Sequence, residues 1–435
     1  MDPQIVPVRL FIDTPEGLIP LGRSTSSIPL PRGPQSRGPL LTYGPYLRAV
    51  EAFLRRGSFR AVRRVLRHHG DDTAAIEGIR DIEVTSVKHG AFYHVARVRV
   101  RTEAGSIAAA LNTAVLPERQ KALEAEFRLL KRLQERFPRG SLPRVYGMGS
   151  LLYRDPPGRE LPMKSFLAEW FDDYHELHWS APSESTLPGR GGSETEFEDN
   201  LPNRPRAPEE LRDPGGAIES CSRAQSPLRL HVWDGSPQGT WLGDDDTFVF
   251  FRRAAAVLTD YLDDRSFRQI FPWHHAAGDF VVRLGPSGPE VRLVTARGFQ
   301  RRVPRGRKPA GSRVWIGLLH FLATLTLRMR LDRLDGVGPT VWAAPPWVFP
   351  VILGFLDGWE RKARGDPALP SPEEIVGVLH RLDPGEWLSI LEAVLEQALV
   401  EEDEFSFLQP RLEDHAEALA SSFAVGFRQG PGAVP

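Results

Sequence analysis

Between residues 82 and 115, apolar and polar residues alternate in three successive runs, at 82–87, 93–100 and 106–115. Short turns, His89-Gly90-Ala91 and Ala104-Gly105, separate them. Alternation at period two marks strands with one face on a core, and turns this short permit only antiparallel neighbours. Pro117-Glu118 then opens a helical pattern reaching about residue 137, with Leu123, Phe127, Leu130 and Leu133 on one stripe. Two more short strands are expected at 143–148 and 165–171. The order β-β-β-α-β-β commits this part of the chain to a small antiparallel sheet carrying one long helix.

The flanks differ. Residues 1–45 are rich in Pro, Gly, Ser and Arg and read as a mobile arm, with a possible strand at 6–12. Residues 46–80 read as a helical extension, with Leu47, Val50, Phe53, Leu54, Val62, Val65 and Leu66 inward and a basic outer face. The β-rich unit spans 81–179. Residues 180–238 have little apolar periodicity and are expected to be a disordered insertion. Residues 239–428 are mainly helical, with helices expected at 246–263, 314–331, 348–361, 372–381, 386–401 and 412–427. A hairpin is expected around Gly285-Pro286-Ser287-Gly288, and residues 429–435 form a tail.

Composition removes several functions. Among 435 residues the net charge is −1, so no global field favours nucleic acid or an anionic membrane. The single cysteine, Cys221, excludes an intrachain disulfide and a cysteine zinc site, and suits a cytoplasmic location. The apolar stretch 341–355 contains three prolines and is too short to span a bilayer, so a soluble protein is expected.

The most chemical stretch is 270–282, where His274, His275, Gly278 and Asp279 lead into the apolar run Phe280-Val281-Val282. Polar groups spliced onto a strand start are where a scaffold presents chemistry to solvent. His274 or His275 could act as a general base near neutral pH, with Asp279 orienting it or holding a metal. The same side chains could instead satisfy backbone groups of a tight turn. A zinc site built on His274, His275 and Asp279 is the less favoured reading, because adjacent histidines on extended chain point to opposite sides.

Taken together, the order of elements resembles the protein-kinase-like fold, closest to its aminoglycoside-phosphotransferase branch, over residues 82–427 apart from the insertion. The fold so implied is α+β and two-lobed: a small antiparallel β-sheet lobe with one long helix, then a mainly helical C-terminal lobe. By that resemblance, residues 88–95 form the phosphate-covering loop. Gly90, Phe92 and Val95 fit its pattern, while Lys88 and Tyr93 replace two glycines. Asn112 takes the place of the phosphate-binding lysine, Glu126 that of its helix partner, and Glu169 lies in the hinge strand 166–170. Residues 270–297 correspond to the catalytic segment. There His274 stands at the catalytic aspartate, Asp279 at a metal-binding asparagine, and Thr295-Ala296-Arg297 where a metal-binding aspartate belongs.

Phosphoryl transfer needs cation clamps and a carboxylate-held Mg²⁺. The resemblance therefore implies a kinase-like protein with degraded catalytic motifs, a pseudokinase in effect. It would bind a small-molecule or nucleotide ligand, ATP or another nucleotide with Mg, between its lobes. Lys88, Gly90, Asn112, Glu126, Glu169, His274 and Asp279 would surround that ligand. The alternative is an atypical phosphotransferase with His274 as general base and Asp279 as metal ligand.

Overall fold

The structure is a computed structural model. It describes residues 6–14, 16–31, 41–69, 78–89, 93–138, 141–155, 157–182, 228–236, 239–273, 278–303, 310–336, 338–397 and 402–426. Strand β1 (Val8–Thr14) turns into β2 (Gly17–Pro20), and the one-turn helix α1 (Arg23–Ser26) leads to α2 (Tyr43–His68). Then follow β3 (Ile79–His89), β4 (His94–Thr102), β5 (Ser106–Ala114), helix α3 (Pro117–Arg136), β6 (Val145–Arg154) and β7 (Glu160–Glu169). These seven strands form one sheet in the order β2-β1-β3-β4-β5-β7-β6.

The sheet is antiparallel except that β1 runs parallel to β3, with Leu10 opposite Val84. It is therefore larger than the expected one and mixed. Residues expected as a mobile arm supply its β1 and β2. On one face, Ile82, Val84, Ala96, Val98, Val100, Leu111 and Leu167 meet Tyr46, Leu47, Val50 and Leu54 of α2 in a core of their own. Within α2 the helix breaks at Gly57-Ser58-Phe59, whose φ values of 56°, 53° and 57° are left-handed. Glycine adopts that region freely, but Ser58 and Phe59 do not. The break turns Phe59 fully inward, and burying an aromatic side chain of this size offsets the strain.

The sheet's other face and α3, through Leu123, Leu130, Leu133 and Phe166, join the rest of the chain in a second core. Strands β8 (His175–Ser180), β9 (Arg229–Val232) and β10 (Thr240–Trp241) precede helix α4 (Asp244–Asp260). Strands β11 (Arg268–Ile270), β12 (Phe280–Arg283), β13 (Glu290–Leu293) and β14 (Phe299–Arg301) lead to helix α5 (Ala310–Met329). After β15 (Leu331–Arg333) and β16 (Thr340–Trp342) come α6 (Val348–Ala363), α7 (Pro372–Leu379), α8 (Pro384–Gln397), α9 (Glu402–Leu408) and α10 (Leu412–Gly426). The expected hairpin is β12–β13, and five of the expected helices are α5, α6, α7, α8 and α10.

Residues 239–428 are mainly helical, as expected, and their β10, β12 and β13 join β8 and β9 in a five-stranded sheet of order β10-β9-β8-β12-β13. Strand β8 lies at the border of the expected β-rich unit and insertion. Its Leu177 and Trp179 enter the core, and its His178 is 3% exposed. Residues 228–232, assigned to the insertion, return to this sheet as β9, whereas 183–227 lie outside the described residues. Asp244, Asp245 and Asp246 occupy the first turn of α4, but Gly243 is its N-cap and no side chain caps it. Their benefit there is to the helix dipole.

Helices α4 and α6 pack at contact distance because α6 is notched by glycines. A Cβ built on Gly354 would lie 1.9 Å from the Arg252 carbonyl oxygen, and one on Gly358 would lie 2.6 Å from the Thr259 Cβ. Two forked ion pairs flank the seam. Arg252 donates to Asp357 at 2.7 and 3.0 Å, and Arg361 to both oxygens of Asp260 at 3.0 Å. Among the described residues no helix is long and apolar enough to cross a membrane.

Candidate functional site

The segment carrying Asp279 is framed by two antiparallel pairings. Strand β11 pairs with β14, so Ile270 lies opposite Phe299, and β12 pairs with β13, so Phe280 lies opposite Leu293. These pairings bring Phe271 and Asp279 against residues 294–298. The Val294 N–H donates to the Asp279 carbonyl at 2.8 Å, and the Phe271 N–H to the Gly298 carbonyl at 3.1 Å. Phe271–Pro272 is a cis peptide bond, and Gly278 takes a φ of 69° that suits glycine. His274 and His275 lie outside the described residues.

Asp279 is almost completely buried, its side chain 1% exposed, and Arg297 pairs with it. Arg297 donates through Nη1 to Oδ2 at 2.7 Å and through Nη2 to Oδ1 at 2.5 Å. A planar guanidinium matches a carboxylate edge in this forked geometry, and charge-assisted pairs of this kind are among the stronger hydrogen bonds in proteins.

Glu126 of α3, 5% exposed, enters the same region. It accepts a hydrogen bond from the Tyr93 hydroxyl at 2.7 Å and another from the Thr295 hydroxyl. Burial pushes its carboxyl upward, while the bonds from Thr295 and Tyr93, the nearby Arg297 and the Ala296 N–H pull it back down. Burial, then the carboxylate of Glu126, pushes the Tyr93 phenol upward. Three elements distant in sequence thus converge: the start of β4 (Tyr93), α3 (Glu126) and the turn after β13 (Thr295, Arg297).

The other expected residues are placed unevenly. Asn112 is half-buried on β5, between Val95 of β4 and Phe166 of β7. Lys88 continues the β3 backbone, opposite Val95. The Lys88 side chain and Gly90 lie outside the described residues. Glu169 turns toward the α2 side of the sheet, where its Oε2 accepts from the Arg144 N–H at 3.2 Å. The Glu169 charge also acts on Tyr146 and His68 there. Its side chain is thus apart from the Glu126–Asp279 region.

Tyr93, Thr295 and Arg297 escaped attention as functional groups. The signal for Arg297 was a cation within the stretch 295–297, where the resemblance calls for a carboxylate. Strand β8 adds a further polar group, since a Cβ on Gly278 would lie 2.6 Å from Glu176 Oε1. Beyond it, the His178 ring lies 4.4 Å from that of Trp233, tilted at 52°, and its buried Nδ1 has no partner among the described residues. Asp332 of β15 accepts from the Trp179 N–H, and burial pushes its carboxyl up to about 8. Among the described residues no group of three or more His, Cys, Asp or Glu side chains is placed to hold a metal ion. No family model matches the chain, and no curated protein matches it in sequence.

Proposed function

We propose that this chain is a kinase-like protein of the aminoglycoside-phosphotransferase branch whose cleft binds a nucleotide or related ligand without transferring phosphoryl. Support for the fold comes from the order β3-β4-β5-β7-β6 with α3 inserted between β5 and β6, and from the β11/β14 and β12/β13 pairings that flank Phe271 and Asp279. The observation that carries the function is the fork of Arg297 on Asp279.

Asp279 stands where the resemblance puts a metal ligand, and Arg297 where it puts the neighbourhood of a second. Mg²⁺ requires near-octahedral oxygen donors and sheds water reluctantly. A carboxylate whose two oxygens already accept from a guanidinium is a poor donor for it. Releasing it would strand a largely buried Asp279 and an uncompensated arginine, each costly. By the resemblance Asn112 takes the place of the lysine that would pair with Glu126, and two hydroxyls, of Tyr93 and Thr295, engage Glu126. The cleft keeps its cation but has made it a fixed part of the protein.

The test is thermal unfolding of the purified full chain with ADP, ATP, GDP and GTP, with and without Mg²⁺, alongside an assay for released or transferred phosphate. Expected is stabilisation by nucleotide that is nearly independent of Mg²⁺, with no phosphate turnover. In Arg297→Ala, Mg²⁺ should begin to add stabilisation. Absence of any nucleotide effect would remove the ligand reading. Steady phosphate transfer would establish an active phosphotransferase instead.

A further inference from the structure

Three arginines line the face of β4 turned away from α2: Arg97, Arg99 and Arg101 alternate with Ala96, Val98 and Val100 of the α2 core. Across the ladder on β3, Arg101 faces Asp81, Arg99 faces Glu83 and Arg97 faces Thr85. The first two rungs are neutralised. Arg101 lies 3.3 Å from Asp81 and 2.9 Å from Glu83, and Arg99 lies 3.8 Å from Glu83. At the third rung a threonine replaces the carboxylate, and the charge has no counterpart.

Arg97 makes no hydrogen bond or ion pair with the described residues, and its buried Nε and the Thr85 Oγ1 both lack partners. Thr85 is 1% exposed. The guanidinium lies 5.9 Å from the ring of Trp170, at the end of β7, and its neighbour on β5 is only Ala110. A buried donor without a protein partner is costly, and a ligand that accepts from it removes that cost. Four residues before Arg97 on the same run, Tyr93 meets Glu126. At about 3.3 Å per residue the two points are roughly 13 Å apart, a span suited to an elongated ligand with an aromatic head and an anionic tail.

We propose that the cleft takes a guanine nucleotide, with the base stacked at Trp170 and its O6 and N7 accepting from Arg97. The proposal rests on the nucleotide-binding reading above. The two acceptors of a 6-oxopurine match the fork of an arginine, whereas adenine sets an amino donor beside N7 and opposes it. An indole face accepts any base by stacking, so the selection falls to Arg97.

Isothermal titration of the full chain with GDP, IDP and ADP tests this. IDP keeps O6 and N7 but lacks the 2-amino group. GDP and IDP should bind at least about tenfold more tightly than ADP, the discrimination expected of one good bidentate pair. Arg97→Lys keeps the charge without the fork and should bring all three within about threefold, with unliganded Tm showing that the variant folds. ADP binding as tightly as GDP to the unaltered chain would overturn the guanine assignment and leave nucleotide binding standing, and an unchanged guanine preference in Arg97→Lys would overturn the role given to Arg97. Failure of all three to bind would overturn both.

Discussion

Arg297 donates two hydrogen bonds to the two oxygens of Asp279, from a turn that the β12–β13 hairpin folds back against it. Asp279 is nearly inaccessible while Arg297 is about a third exposed, so the two partners are unequal. Arg297→Ala leaves a buried carboxylate uncompensated and should cost about 3 kcal/mol in urea unfolding. Asp279→Ala leaves a cation that can turn to water and should cost less. In the double variant the coupling between them should appear as a sum smaller than the two single effects.

Asp332 should give the chain a pH-dependent stability. Burial raises its carboxyl to about 8 in the folded chain from the ordinary 3.8. The folded form therefore holds the proton more tightly than the unfolded form. The contribution is complete below about pH 4 and fades as pH rises toward 8, by up to about 1.4 kcal/mol per unit. Asp332→Asn should flatten that slope in denaturant midpoints measured from pH 5 to 8. An equal slope in the variant would assign the dependence elsewhere.

Arg330 is 1% exposed and joins the end of α5 to α10 and β16. It donates to the Ala343 carbonyl at 2.7 Å and to Asp414 at 3.0 Å, lies 3.1 Å from His415 Nδ1, and sits 4.3 Å over the Trp342 ring. Asp414 is mostly exposed, so it tolerates losing the cation. The cost of Arg330→Met comes from the buried carbonyl and imidazole left unpaired, about 2–4 kcal/mol. Thermal unfolding would show it, and Asp414→Asn, which leaves the buried guanidinium without its carboxylate, should also be measurably destabilising.

Gly354→Ala drives a methyl into the Arg252 carbonyl across the α4–α6 seam. Backbone cannot swing aside as a side-chain tip would, so the helices must separate, at about 1–3 kcal/mol or more. Gly377→Ala on α7, where nothing lies within 4 Å, should be neutral or slightly stabilising through helix propensity. Comparing the two variants by chemical denaturation separates crowding from propensity.

Elements whose periodicity is local were readable in the sequence. The Leu123–Leu133 stripe marked α3, and Gly285-Pro286-Ser287-Gly288 marked the β12–β13 turn. Strand β1 was partly visible as alternation at 6–12, but its parallel place beside β3 depends on contacts across the whole of α2. Strand β8 was hidden because His175, Glu176 and His178 supply polar residues on both sides of Leu177. Only the neighbours β9 and β12 make it a buried strand. In the candidate site, the placement of Asp279 before an apolar strand was legible. Its partner was not, since nothing local in Thr295-Ala296-Arg297 says that a hairpin will aim the arginine back at residue 279.

The parallel register of β1 on β3 also governs how the chain can be shortened. With β1 and β2 in place, β3 is an interior strand, and the terminal strand on that side is the four-residue β2, ending in Pro20. A short edge closed by proline resists adding another chain. Removing the first 42 residues would leave the eleven-residue β3 as the new edge, with unpaired N–H and C=O groups along it. Such a truncated chain would be prone to self-association through that edge, even with the candidate site intact.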